Sequence, residues 1–222
     1  MFMSKKKQPM DKKLITHAFK MVNVKRFAGL HLNSPYSVGE HTHRVATLAM
    51  EITNWYNVEN PENKISLEEV LVKALLHDME ESISNDMPSY VKRHGNLRDE
   101  LRKAGEWLME EKILKGSSMP EHYFKMWKED KDGESGEVIE LADKIEGLLV
   151  CYFEVKRNNL SLTKPLINQI DWFKTDLAVK LLNKYSFANY IYQGVIDYLT
   201  DFDKKQENLK KTIKEAAKDS KK

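Results

Sequence analysis

Apolar residues recur at helical spacing along most of the chain, and the strict alternation of a half-buried strand hardly occurs. Leu14, Ala18, Met21 and Val22 mark a first helix. From Lys25 to Val38 the pattern is broken by Gly29, Asn33, Ser34 and Pro35, which predicts a loop. Ser37 with Glu40, and Ser66 with Glu69, have the spacing of capping boxes, in which the hydroxyl and the later carboxylate satisfy the first free amides of a helix. They predict one helix from Ser37 to about Asn57 and another from Ser66 through His77, interrupted at Asn85 to Pro88. A charged amphipathic stretch follows from Leu97 to Leu114, then a shorter one around Tyr123 to Trp127. The segment KEDKDGESGE reads as a loop, and three more helices are expected near 137–156, 165–185 and 187–202. With no internal repeat and no long linker, the pattern predicts one all-α domain over residues 14–202.

Composition agrees with that class. The 222 residues are 41% apolar and 32% charged, with only 9 Gly and 6 Pro, a helix-rich balance. No apolar run approaches the length of a membrane span, and the opening MFMSKKKQPMDKK has no apolar segment typical of a secretory signal. A single cysteine, Cys151, excludes an internal disulfide and reads as a buried, inert thiol; a cytoplasmic protein is expected. Net charge is +2, but residues 1–13 and 203–222 each carry +4, leaving −6 for residues 14–202. Those ends read as basic tails, and the acidic body argues against duplex nucleic acid as a partner.

Polar groups stand where a bland helical bundle would carry apolar ones. His41 begins the stripe Val45, Leu48, Ile52; the run ALLHDMEES sets His77 and Asp78 directly after apolar residues; Asp143 lies inside VIELADKIEGLLV. A lone histidine on such a stripe is more often a hydrogen-bonded core residue, and a lone aspartate usually faces solvent. Here those ordinary readings must all hold together, whereas two imidazoles and two carboxylates make a mixed nitrogen and oxygen set suited to one divalent metal. The remaining histidines show no second paired spacing, and the methionines and the tryptophans Trp55, Trp107, Trp127 and Trp172 read as core or interface. Phosphate-binding glycine loops and a nucleophile elbow are missing.

The order H…HD…D, with RF at 26–27, GEHTHRV at 39–45, LLHDMEESISNDMPSYVK at 75–92 and LADKIEGLL at 141–149, resembles the HD-domain metal-dependent phosphohydrolases, and within them the bacterial 5'-deoxynucleotidase branch. The resemblance spans about residues 14–190 and implies a helical bundle of the HD-domain type. It implies that His41, His77, Asp78 and Asp143 hold one divalent ion, Mn, Co or another transition metal, with Mg also admitted. It further implies that Arg26 orients the substrate phosphate, that Glu81 handles protons, and that Asp86 accepts from the sugar 3'-hydroxyl beside a wall of Met87, Pro88 and Ser89. His41, Asp78 and Asp143 would thereby border the substrate as well. Phe27 stands where the family usually has Trp; its face can pack on the nucleoside but offers no N–H. Without the resemblance, Arg26 reads as a surface arginine, Glu81 as part of a solvated EES cluster with Glu80 its nearest rival, and Asp86 as a turn initiator. The expected activity is release of phosphate from deoxynucleoside 5'-monophosphates, with a homodimer or higher homo-oligomer as the expected assembly. Two alternatives remain at this point. One is a triphosphohydrolase on the same fold, with Lys92 and Arg93 meeting the extra phosphates; the other is a catalytically silent binding protein.

Overall fold

Capping chemistry sets the main helix boundaries. The computed structural model describes residues 12–92 and 94–201. Helix α1 (Lys13–Lys20) passes through a 3-10 turn at Met21–Asn23 into a loop that ends at Ser37. The Ser37 hydroxyl then accepts from the Glu40 amide at 3.2 Å, and the Glu40 carboxylate accepts from the Ser37 amide at 2.9 Å, opening α2 (Val38–Glu59). Ser66 accepts from the Glu69 amide at 3.2 Å and opens α3 (Leu67–Leu76). Two short helices follow, α4 (Glu81–Ser84) and α5 (Ser89–Lys92), then α6 (Leu97–Trp107), α7 (Pro120–Lys128) and α8 (Gly133–Lys156). The fold closes with α9 (Thr163–Trp172), α10 (Asp176–Lys184) and α11 (residues 186–201). Among the described residues there is no strand, only an isolated antiparallel bridge between Lys25 and Ser37, so the protein is all-α.

Helix α8 is buried on most of its circumference, as a helix apolar nearly all round must be. Its Val138, Ile139, Leu141, Ala142, Ile145 and Leu148 pack against Val45, Ala49 and Ile52 of α2 and Val70 and Ala74 of α3. Phe173, Leu181 and Tyr185 cover the far side of the same core. A second core gathers Met21, Val24, Val38, Leu76, Met79, Met109, Ile113 and Trp127. Ala74 belongs to the first core and Leu76 and Met79 to the second, so the chain between them lies where the two meet.

The structure departs from the sequence pattern in four places. Helix α3 stops at Leu76, and residues 77–80 form a turn before α4, so the His77–Asp78 pair is not inside a helix. The loop expected over residues 128–137 is shorter, because α8 already begins at Gly133. The stretch expected as one helix over 165–185 is broken, with the Thr175 hydroxyl accepting from the Ala178 amide at 3.3 Å to start α10. The amphipathic stretch to Leu114 ends in a π-helical turn at Leu108–Ile113, where the Leu114 amide donates to the Met109 carbonyl at 2.8 Å. Trp55 and Trp107, read as core or interface, are half exposed, at 50% and 53%. Apart from Lys12 and Lys13, the basic ends at 1–13 and 203–222 lie outside the described residues. Among the described residues no helix is long and apolar enough to cross a membrane.

One buried lysine fixes the start of α8. Lys73, 2% exposed, donates to the Asp132 carbonyl and the Ser135 hydroxyl, each at 2.9 Å, and lies 3.1 Å from the Glu69 carboxylate. The loop it holds passes so close to Gly136 that a Cβ there would meet the Lys131 carbonyl carbon at 2.1 Å. Gly136→Ala must therefore push the loop away, and thermal unfolding should show a loss of about 1–3 kcal/mol. Gly194→Ala, in α11 with no atom within 4 Å of the new methyl group, should instead stabilise by about 1 kcal/mol.

Candidate active site

Four polar side chains meet at the junction of the two cores. His41 is fully buried in the first turn of α2, four residues after Ser37 and directly after Glu40, which together fix the helix start. His77 caps the end of α3, and its Nδ1 faces the Ala74 carbonyl at 2.7 Å. A carbonyl oxygen only accepts, so Nδ1 carries the proton and the neutral ring keeps its lone pair on Nε2. The same logic holds for His41, whose Nδ1 lies 2.9 Å from a Glu146 carboxylate oxygen. The two Nε2 atoms are 3.2 Å apart. Asp78 Oδ2 lies 3.3 Å from each of them, and Asp143 Oδ1 lies 3.3 Å from His41 Nε2. Ligand atoms of His41, His77 and Asp143 all fall within 4.8 Å of one another.

Such a cluster of electron-pair donors repels itself unless a positive charge sits among them. A proton is one answer: burial and the Arg26 charge oppose it, but hydrogen bonds to Asp143, Asp78 and Glu146 push His41 up to about 10. A divalent cation is the other. Donors about 2.1 Å from one ion lie about 3.0–3.4 Å from each other in tetrahedral or octahedral arrangements, which is the spacing found here. Two imidazoles with two carboxylates fit a borderline transition metal, and among the described residues no other group of ligating side chains of this kind occurs.

The surrounding charges answer the carboxylates. Burial alone would raise Asp78, but His77, His41 and Arg26 hold it well below the ordinary carboxylate range. Arg26 Nη1 donates to Asp78 Oδ2 at 3.0 Å, and Arg26 Nε is buried without a partner. Burial likewise works to raise Asp143, while Lys144 at 2.8 Å, His41 and Lys131 hold it low. The adjacent glutamates separate cleanly. Glu81 is buried beside the site, paired to Lys92 Nζ at 2.9 Å through one oxygen, with the other unpartnered. Burial and the Asp78 charge push Glu81 up to about 7, against the pull of Lys92. Glu80 instead accepts from the Trp127 indole at 2.8 Å, and burial pushes it up to about 8.

The residues expected to wall the nucleoside lie in two segments. Phe27 is half-buried, held at φ 52°, with its ring centre 6.2 Å from that of Tyr36. Across the site Asp86 lies 3.9 Å from Lys92 Nζ, after Asn85 at φ 63°, and Met87 and Pro88 follow half-buried. Non-glycine residues at positive φ are strained and are kept where surrounding contacts impose them. Ser89 opens α5, but its side chain and all of Arg93 lie outside the described residues. Cys151 is buried, and burial with the Glu146 and Glu154 charges pushes its thiol up to about 12, as an inert core cysteine requires. Sequence reasoning overlooked Glu146 and Tyr36. Glu146 interrupts the apolar run of α8 as Asp143 does, so the same criterion applied once more would have found it; nothing in the loop pattern marks Tyr36.

Solved structures share this architecture. An HD-domain phosphohydrolase from Listeria innocua superposes with a TM-score of 0.61 at 18% identity, covering 83% of this chain and 97% of its own. The PH0347 protein from Pyrococcus horikoshii gives 0.63 at 18%, covering 82% and 98%. A cyanophage S-2L HD phosphohydrolase, solved with dA and one catalytic zinc ion, gives 0.53 at 15%, covering 82% and 96%. No curated protein matches the sequence. These likenesses define the class: an HD-domain phosphohydrolase fold built around a His-His-Asp cluster. Residues 13–171 match the family described as 5'-deoxynucleotidase YfbR-like, and the chain belongs to that family. It is a hydrolase of the 5'-deoxynucleotidase kind.

The division of labour between the two glutamates is open to a direct check. Glu80→Ala strands the Trp127 N–H and should cost about 1–3 kcal/mol in thermal unfolding, yet leave turnover at the wild-type level. A large loss of turnover would assign the proton-handling role to Glu80 instead.

Proposed function

We propose that the protein releases inorganic phosphate from deoxynucleoside 5'-monophosphates, with His41, His77, Asp78 and Asp143 as ligands of one divalent ion. The meeting of His41, His77 and Asp143 within 4.8 Å, with Asp78 3.3 Å from both imidazoles and bound to Arg26, is the observation that carries the reading. Family membership and the dA and zinc of the cyanophage neighbour support the substrate class and a transition metal. An ion held there lowers the pKa of water and offsets charge developing on the phosphate. Arg26 orients the phosphate by a planar fork that can engage two oxygens at once, its unpartnered Nε being available for this. Glu81, poised near neutrality with one unpartnered oxygen, transfers the proton to or from a reacting oxygen. Phe27 packs on the nucleoside, and Asp86, with Met87, Pro88 and Ser89, bounds the sugar. A wall close to C2' favours deoxyribose, by on the order of 10²-fold if the wall is apolar.

Supplying dAMP, AMP and dATP with Mn, Co or Mg tests this. Phosphate from dAMP is expected, with slower turnover of AMP; tripolyphosphate from dATP at the higher rate would move the protein to the triphosphohydrolase reading. Asp78→Ala should lose hydrolysis and bound metal together. The pH profile addresses Glu81. In Lys92→Met the charge that lowers Glu81 is gone, so its carboxyl rises further and the limb of kcat/KM that reports it moves to higher pH. Movement of the acidic limb marks Glu81 as a base, movement of the alkaline limb as an acid. An unmoved profile removes Glu81 from the chemistry.

A further inference from the structure

Glu146 stands behind the candidate ligands, yet at 2% exposure it is buried more deeply than His77, at 7%. Its Oε2 lies 2.9 Å from His41 Nδ1, and its Oε1 accepts from the hydroxyl of Tyr36, itself buried. The nearest cation, Arg44 Nη1, lies 3.7 Å from Oε1 on a half-exposed side chain and stacks over the Tyr36 ring at 4.8 Å. A carboxylate in the middle of an apolar helix is costly, and an apolar side chain would serve the packing of α2 on α8 better. The contacts show what it does instead. One oxygen fixes the His41 ring; the other is fixed by Tyr36.

Tyr36 has a second attachment. Its backbone carbonyl accepts from the Arg26 amide at 2.9 Å, beside the bridge between Lys25 and Ser37. One residue therefore holds the backbone of the phosphate-facing arginine through its carbonyl and the carboxylate behind His41 through its hydroxyl.

We infer that Glu146 and Tyr36 are a positioning pair for the metal centre, an inference that rests on the metal reading above. Glu146 keeps the His41 Nδ1 proton turned away from the site, so that the Nε2 lone pair is presented to the point shared with His77, Asp78 and Asp143. A carboxylate accepting from the far nitrogen of a ligating imidazole fixes the ring and its tautomer and makes the near nitrogen a stronger donor. Tyr36 holds Glu146 in that pose and ties it to the loop that carries Arg26. Neither residue touches the substrate.

The test compares wild type with Glu146→Gln, Glu146→Ala and Tyr36→Phe. Zinc affinity is read by competition with a chromogenic chelator in the absence of substrate, and folding by thermal unfolding of the metal-free chain. Affinity should fall by about 10–100-fold in Glu146→Ala, with Glu146→Gln between it and wild type because the amide oxygen still accepts, and Tyr36→Phe weakened least. Raising the metal concentration should restore turnover in Glu146→Gln, as it would not for a lost catalytic group. Tyr36→Phe retains its backbone carbonyl, so its KM for dAMP at saturating metal should stay at the wild-type value. The hydrogen-bonded Nδ1 proton of His41, followed by nitrogen-edited proton NMR, should vanish in Glu146→Ala. Folded Glu146→Gln and Glu146→Ala proteins with wild-type zinc affinity would overturn the pair. A wild-type chain that takes up no zinc, manganese or cobalt would overturn the metal reading itself; the NMR signal then judges the pair, and its persistence in Glu146→Ala sinks it.

Discussion

A carboxylate shielded from water destabilises a fold unless positive charge meets it, and this protein places Asp78, Asp143 and Glu146 within reach of one histidine. Much of the rest follows from answering those three charges. Arg26 comes in from the loop before α2, Lys144 from the next position on α8, and the His41 ring lies between them with a carboxylate on each side. Lys144 reaches Asp143 within α8 itself, but His41 meets Asp78, Asp143 and Glu146 only while α2, α3 and α8 keep their mutual positions. That requirement explains why α8 is packed on nearly every face and why a buried lysine, Lys73, holds its first turn to α3. The two apolar cores act as a clamp on a polar centre that neither would tolerate alone.

The site is built where regular structure ends. His41 sits just inside a capped helix start, His77 and Asp78 just past a helix end, and Phe27 and Asn85 at positive φ. Helix interiors supply precision, as for Asp143 and Glu146 on one face of α8, while the turns supply side chains that a straight helix would aim elsewhere. Adjacent residues on a helix point about 100° apart, so the turn at residues 77–80 is what lets the neighbours His77 and Asp78 face the same point.

How far the sequence foretells this depends on which physics each feature uses. Caps and stripes are local, so Ser37, Ser66 and the buried face of α2 were readable from spacing alone. His41, the His77–Asp78 pair and Asp143 stood out as polar residues in apolar runs whose donor types suit one divalent metal, and the family resemblance gave them the role of its ligands. Arg26 and Glu81 were legible through that resemblance and not through pattern. The Thr175 cap that opens α10 is a local signal that went unread, whereas the end of α3 at Leu76 and the π-helical turn at Leu108–Ile113 carry no such mark in the spacing. Tyr36 is the clearest case: its hydroxyl meets a residue 110 positions away.

The loop between α1 and α2 is fastened twice. At its base the Arg26 amide donates to Tyr36 and the Val38 amide to the Val24 carbonyl at 2.8 Å. At its tip the Asn33 amide donates to Glu154 at 2.9 Å and the Asn159 side chain to the His31 carbonyl at 2.8 Å. A segment pinned at both ends has no hinge, so it behaves as a fixed wall. On the opposite bank, residues 85–92, Lys92 reaches back to Glu81 across the rim. Of the two banks, the first is therefore tied by hydrogen bonds at both ends and the second by the ion pair of Lys92 with Glu81.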